Sequence, residues 1–328
     1  MTAGGTERSV IDRAAARLAV LGSRVRRNEP LGERTTYGVG GRAAFLVEAQ
    51  TVADLQVVAE TIRHTGLDVF VLGRGSNVLV NDHGYDGICV TLDGFGSIVI
   101  HDGSDTDVVR VEAGGATLLP VLARATARRA FTGLEWAVGV PGTVGGGVRM
   151  NAGGHGSDMA ATLTSVVLFS FATGTERRAT PTELGLRFRG SDLTDTDVVV
   201  SATFALQRGD RAASEAELGD IVRWRREHQP GGQNAGSVFV NPIPGVLSAG
   251  QVIDECGLRG HRLGSAEVSP KHANFIQADP DGRSADVVAL MRLVRATVLE
   301  QRGIALRSEN RLLGFDVDHV GDPIGATP

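Results

Sequence analysis

Gly139-Val140-Pro141-Gly142-Thr143-Val144-Gly145-Gly146-Gly147-Val148-Arg149-Met150-Asn151-Ala152-Gly153-Gly154-His155-Gly156 holds eight glycines in eighteen residues. Glycine weakens regular structure and loses extra backbone entropy on folding, so the run implies backbone that turns with positive φ or lies closely against a ligand. It reads as a cofactor cradle. A flexible linker is the alternative, but it would carry Ser, Pro and charge where Val140, Val144, Val148 and Met150 stand.

Working outward, a helix from about Leu118 to Ala130 precedes the run, itself preceded by short strand-like segments at Ile88–Leu92, Ile98–Ile100 and Val108–Glu112. Further back lie a helix over residues 7–21, a polar stretch Arg24–Arg34, a strand Ala43–Glu48, and a helix Thr51–His64 opened by the capping pair Thr51 and Asp54. A strand Asp68–Leu72 then runs into Gly73-Arg74-Gly75-Ser76-Asn77, a second glycine loop whose N–H groups could form an anion-binding nest. Alone this loop reads as a tight turn, since it lacks the third glycine of the dinucleotide fingerprint and the Gly-Lys-Ser/Thr of a P-loop. Beyond the run come strands at Val166–Ser170 and Val198–Leu206 and a charged helix over 209–228, with a domain boundary near 208. The remainder holds Ser237–Val240, a helix Ala249–Cys256, strand-like Ala273–Gln277, a long helix Ser284–Arg302 and a closing segment Ile304–Phe315. The last dozen residues are polar with Gly and Pro and read as disordered.

A chain of 328 residues predicts two or three domains. Net charge is −5 with acids and bases interspersed, which lacks the footprint of a nucleic-acid binder. Cys89 and Cys256 form no metal-binding spacing and fit a reducing cytoplasm, and no signal peptide or membrane span can be drawn.

Four motifs in order, Leu72–Leu79, Gly133-Leu134-Glu135, Val140–Gly146 and Met150-Asn151-Ala152-Gly153, resemble the FAD-binding domain of the UDP-N-acetylenolpyruvoylglucosamine reductase family of peptidoglycan precursor synthesis. Phe188–Ser191, Asn234–Pro242, Lys271–Ile276 and Leu306–Arg311 resemble the family's later motifs, and coverage runs from about Thr35 to Phe315. The resemblance implies an α+β fold. It would comprise a two-part FAD-binding region of the vanillyl-alcohol-oxidase/PCMH type, residues 1–94 with 312–328 and then 95–207, and an α+β substrate-binding domain over 208–311.

By the same resemblance, NADPH is the co-substrate, FAD is bound noncovalently, and an enolpyruvyl UDP-sugar is reduced at its vinyl carbon. Arg189 and Glu309 match the pair that grips the substrate carboxylate and stabilises its enol form, and Ser237 matches the proton donor. A serine is a poor acid and needs neighbouring donors or charge to act. Gly73, Arg74, Gly75, Ser76, Asn77, Val78, Leu79, Pro141, Gly142, Thr143, Gly145, Gly146, Asn151, Gly153 and Arg311 match cofactor positions. His155, Arg225, His228, Asn241 and His272 match substrate positions, the two basic residues near its diphosphate. No metal is implied. The protein is expected as a cytoplasmic monomer with no nucleic-acid or membrane partner, an oligomer being left open.

The chain departs from the family at Val240, where lysine is common, at His155 for tyrosine, at Arg307-Ser308 for Glu-Pro, and at Asn310 for an aliphatic residue. Between Phe204 and Ser237 it has no tyrosine and resembles the subgroup without the tyrosine-bearing substrate loop. Two rivals remain: another FAD-dependent oxidoreductase of the superfamily, against which Ser237 and Glu309 argue, and a non-catalytic flavin-binding paralogue, supported only by Val240 and Arg307.

Overall fold

Residues 3–103 and 107–315 are described by a computed structural model. The tail read as disordered therefore lies outside the described residues. The chain forms two compact units. The first comprises Met1–Asn28, Ala44–Gly73 and Asp86–Arg223, and the second Glu29–Ala43, Arg74–Tyr85 and Trp224–Pro328.

In the first unit, helices α1 (Ala3–Leu18) and α2 (Val52–Thr65) cover a four-stranded sheet ordered Val25–Pro30, Arg42–Glu48, Tyr85–Thr91, Val69–Val71. Their apolar faces, including Leu18, Phe45, Leu55, Val58 and Val90, form one core. The expected capping pair is present: the Asp54 N–H donates to Thr51 Oγ1 at 3.3 Å and the Thr51 N–H to Asp54 Oδ2 at 3.2 Å. Arg24 also donates to the buried Asp54 carboxylate, at 2.7 and 2.9 Å.

The larger part of this unit is an antiparallel sheet ordered Thr175–Ala179, Leu163–Ser170, Asp197–Arg208, Val108–Gly114, Ile98–His101, with Phe131–Thr132 pairing the end of the long strand. Period-two alternation puts Val109, Val111 and Ala113 in the core and leaves Arg110 and Glu112 outside. Helices α3 (Leu119–Ala127) and α4 (Val144–Met150) pack on the same core, and α5 (Arg211–His228) begins in this unit.

The second unit contains helices α6 (Ala249–Glu255) and α7 (Ser284–Arg302), and a three-stranded antiparallel sheet of Arg262–Leu263, Ala266–Val268 and Ile276–Ala278. Its last strand, Arg311–Leu313, pairs in parallel with Val78–Val80 in the register Arg311 to Val78. That pairing draws residues 74–85 into the same unit as the chain's C-terminal region. Residues 29–43 join for a related reason. The Gly41 N–H donates to the Asn81 carbonyl at 2.8 Å, and a Cβ on Gly40 would clash with the Val80 carbonyl.

The α+β class expected from sequence is the one observed. Three local readings change. The N-terminal helix starts at Ala3 and gives way after Leu18 to a 3₁₀ segment broken at Gly22, where φ is +59°. Arg24–Arg34, read as a polar stretch, contains the strand Val25–Pro30. The glycine run, read as a cradle whose glycines weaken regular structure, contains the helix α4.

Candidate active site

In the first unit Gly73, at the head of the second glycine loop, lies against the glycine run. A Cβ on Gly73 would lie 2.7 Å from Thr143 Oγ1, so only glycine passes at that point. Thr143 caps α4, its hydroxyl accepting the Gly146 N–H at 3.3 Å. The other first-turn donors of α4 are also spent within the unit: Val144 N–H on the Thr117 carbonyl and Gly145 N–H on the Gly115 carbonyl, both 2.8 Å. The Gly142 carbonyl accepts from the Leu119 N–H at 3.0 Å. An anion at this end would thus find its amides engaged.

What the run offers a flat ligand is bare backbone. A Cβ on Gly146 would meet nothing closer than Thr143 Oγ1 at 3.6 Å, and at Gly154 and Gly156 nothing within 4 Å. Other glycines serve internal packing. A Cβ on Gly145 would stand 3.1 Å from the Gly115 carbonyl, on Gly147 2.6 Å from Met159 Cε, and on Gly153 2.5 Å from Asp158 Cβ. Pro141 and His155 are exposed, the latter with φ +52°.

Asn151, buried with φ +39°, closes α4. Its amide donates to Asp158 Oδ2 (3.1 Å) and the Arg187 carbonyl (3.2 Å), while its oxygen accepts the Ala160 N–H (3.0 Å). With its amide so committed, Asn151 builds the site's frame. The Arg187 carbonyl belongs to the turn that carries Arg189. Arg187 and Gly190 bond to each other across that turn at 3.0 and 3.1 Å. Arg189 adopts φ +56°, rare for a side-chain-bearing residue and costly by roughly 1–3 kcal/mol. Its guanidinium donates to the Gly153 carbonyl at 3.0 Å and lies 5.0 Å from the Phe188 ring centroid.

The second unit holds Ser237 and Glu309 on adjoining backbone. The Glu309 N–H donates to the Val238 carbonyl at 2.7 Å and the Val240 N–H to the Arg307 carbonyl at 2.9 Å. Asn274, buried, clamps the same strip: its amide donates to the Phe239 carbonyl (2.8 Å) and its Oδ1 accepts the Phe239 N–H (2.9 Å). The loop Arg74–Asn77 lies alongside. The Asn77 amide donates to the Glu309 carbonyl at 2.9 Å, and the Arg311 N–H to the Asn77 carbonyl at 2.9 Å. Gly75, at φ +65°, packs against the Arg34 carbonyl and accepts the Thr36 N–H at 3.1 Å. Val78 and Leu79 are buried strand residues whose side chains serve the core, Arg74 is exposed and Ser76 half-buried.

The remaining polar residues gather around α6 and the end of α5. Arg225 is half-buried, burial pushes its pKa below the ordinary value, and among the described residues it has no ion-pair partner. Nearby in sequence, the Trp224 and His228 rings stack with centroids 4.7 Å apart. His228 Nδ1 is 2.8 Å from the Trp224 carbonyl, which only accepts, so that nitrogen carries a proton. Lys271 Nζ donates to the Arg226 carbonyl at 2.6 Å. Burial and then the Arg259 charge lower the pKa of His272, keeping it neutral near pH 7. Its Nδ1 accepts the Asn274 N–H at 3.2 Å, so the proton sits on Nε2. Asn241 Oδ1 accepts the Ala249 N–H, 3.1 Å away at the start of α6.

Of the expected residues, Asn77, Glu309 and Arg311 are thus joined by hydrogen bonds, with Ser237 next to the Val238 carbonyl that Glu309 bonds, while Arg189, Asn151 and Gly153 form a second group in the other unit. The segment Thr35–Gly41 supports the first group and was passed over in the sequence; its signal was Gly38-Val39-Gly40-Gly41. Asn310, read only as a departure, proves to be buried inside that group. Among the described residues no group of His, Cys, Asp and Glu is placed to hold a metal ion, and no helix is long and apolar enough to cross a membrane.

Comparison with known proteins gives two family matches. An FAD binding domain matches residues 43–180, and the UDP-N-acetylenolpyruvoylglucosamine reductase C-terminal domain matches residues 228–313. UDP-N-acetylenolpyruvoylglucosamine reductase 2 of Symbiobacterium thermophilum is 41% identical over 298 residues, covering 89% of this chain and 93% of that protein. The Halalkalibacterium halodurans reductase is 39% identical over 295 residues, 88% of this chain and 94% of that one. A crystal structure of UDP-N-acetylenolpyruvylglucosamine reductase from Thermus caldophilus superposes with a TM-score of 0.74 at 34% identity, covering 88% of this chain and 99% of that chain.

Proposed function

Because the chain belongs to the UDP-N-acetylenolpyruvoylglucosamine reductase family, we infer that it is an FAD-dependent oxidoreductase reducing the enolpyruvyl UDP-N-acetylglucosamine to UDP-N-acetylmuramate. The observation that carries this reading is similarity across 88–89% of the chain, including both the FAD binding domain and the reductase's own C-terminal domain. The bare glycine backbone at Gly146, with Gly73 passing against Thr143, fits a cofactor lying flat on the chain. FAD held there would supply two-electron redox chemistry, with NADPH as the reductant and the substrate's vinyl carbon as the site of reduction.

The chain's own residues have separable tasks. Reduction at the vinyl terminus places charge on the carbon beside the substrate carboxylate. Glu309 and Arg189 hold that carboxylate and its enol form, and Ser237 gives a proton from Oγ to the neighbouring carbon. The Glu309-to-Val238 hydrogen bond supports pairing Ser237 with Glu309. Arg225 supports diphosphate recognition, since a desolvated cation with no carboxylate partner among the described residues is suited to a phosphate. His228 joins Arg225 at the diphosphate, His272 and Asn241 touch the nucleotide or sugar, and His155 also contacts the substrate. Residues 1–94 with 312–328 and 95–207 bind FAD, and 208–311 bind substrate. The protein acts as a cytoplasmic monomer with noncovalent FAD.

The purified protein should be yellow and should oxidise NADPH rapidly only when the enolpyruvyl UDP-sugar is supplied. Fast turnover with oxygen alone, or none with the sugar, overturns the assignment.

A further inference from the structure

Asn310 is 1% exposed, and its amide nitrogen reaches three oxygens from two distant segments: Asn77 Oδ1 at 2.8 Å, the Ala235 carbonyl at 3.0 Å and the Ser237 carbonyl at 3.3 Å. One NH2 group has two hydrogens, so the Ser237 contact is shared with the shorter Ala235 bond. The Asn77 amide is thereby fixed at both ends, accepting from Asn310 and donating to the Glu309 carbonyl at 2.9 Å. Chain separations of 233 residues to Asn77 and 73 to Ser237 mean that no local turn could hold these groups together.

Stability is a poor account of this residue. Asn310 Oδ1 is buried with no hydrogen-bond partner among the described residues, a desolvation cost an apolar side chain would not carry. What the amide supplies is register: it locks the turn before Ser237 to the residue beside Glu309 and to the loop at Asn77.

We propose that Asn310 is a positioning residue that sets Ser237 relative to Glu309 through the amide of Asn77 and the Ala235–Ser237 carbonyls. The inference rests on the roles given above to Ser237 and Glu309. A displacement of about 1 Å at a reacting group can cost on the order of 100-fold in rate, whereas flavin reduction by NADPH makes no use of the Ser237 proton.

Asn310→Leu keeps the branched shape and the number of side-chain heavy atoms and removes the donor. In rapid-mixing experiments on this variant, flavin reduction by NADPH should stay within about twofold of wild type, while reoxidation by the enolpyruvyl UDP-sugar slows roughly 10- to 100-fold. The loss should appear in the limiting rate with little change in the sugar concentration giving half of it. Equal slowing of both half-reactions, or of neither, overturns the proposal. Amide hydrogen exchange on the cofactor-free protein gives a readout independent of turnover: peptides over 234–241 should exchange faster in the variant, and unchanged protection there also overturns it. If wild type itself fails to be reoxidised by the sugar, the functional assignment falls while the exchange measurement still decides whether Asn310 sets the turn.

Discussion

Ser237 follows Gly236, whose φ of +75° turns the chain sharply just before the strip that pairs with Glu309. Ser237→Ala should leave NADPH reduction of the flavin intact and slow sugar-dependent reoxidation by roughly 10²- to 10⁴-fold, the usual worth of a positioned proton donor. Equal loss in both half-reactions would assign Ser237 to structure alone. Tyr37 offers a contrasting test in the core of the same unit. Its hydroxyl is buried without a hydrogen-bond partner among the described residues. Tyr37→Phe should therefore leave stability unchanged or raise it by about 1 kcal/mol, read as the urea midpoint. Ser237 and Glu309 were conspicuous in the sequence because each sits in a distinctive string of neighbours. Asn310 was not, since its work is done on residues 73 and 233 positions away and an asparagine in Arg-Ser-Glu-Asn carries no periodic signal.

At the scale of the element, α4 is a seven-residue helix with three consecutive glycines, against every local propensity. Tertiary contacts override propensity: Gly145 and Gly147 let the helix press against Gly115 and against Met159 and Leu119. Gly146, in contrast, is exposed and a Cβ there would meet only Thr143 Oγ1, at an ordinary 3.6 Å. Gly146→Ala should stabilise the cofactor-free protein by about 0.5–1 kcal/mol, as alanine does in a helix, and weaken flavin binding in a fluorescence titration. Gly145→Ala should lower the melting temperature because its Cβ meets backbone. If Gly146→Ala binds flavin as wild type does, Gly146 does not contact the cofactor. Apart from α4, the helices and the inner strands of the antiparallel sheet were readable from the sequence pattern. Val25–Pro30 and Thr175–Ala179 were hidden because they are edge strands of largely exposed polar residues, lacking the alternation that marks a half-buried strand.

For the whole molecule, titrating groups in both units bound a stability window. His272 has a lowered pKa, so its contribution is complete above about pH 6.5 and falls as the unfolded chain takes up the proton first. Burial alone would raise the pKa of Glu135, but hydrogen bonds from Ser214 and the Gly133 N–H outweigh it and the net shift is downward. Its contribution is present above about pH 4.5 and is lost further into acid. Burial raises the pKa of Tyr37, whose contribution holds below about pH 10 and is lost above it. Melting temperatures should plateau between about pH 7 and 10 and decline on both sides, and Tyr37→Phe should soften the alkaline decline. A melting temperature still rising above pH 10 would contradict this assignment.

The parallel pairing of Val78–Val80 with Arg311–Leu313 also sets a timetable. A ribosome adding about 5–20 residues per second releases the partner strand roughly 10–50 seconds after Val78 has emerged. For that interval the nascent loop destined to carry Asn77 has no strand to lean on, and the amide that will hold it is not yet made. The second unit must therefore mature near the end of translation, while much of the first, complete by Arg223, can consolidate earlier. Truncated products ending before residue 311 would present an unfinished sheet edge, a natural mark for chaperones and proteases to read.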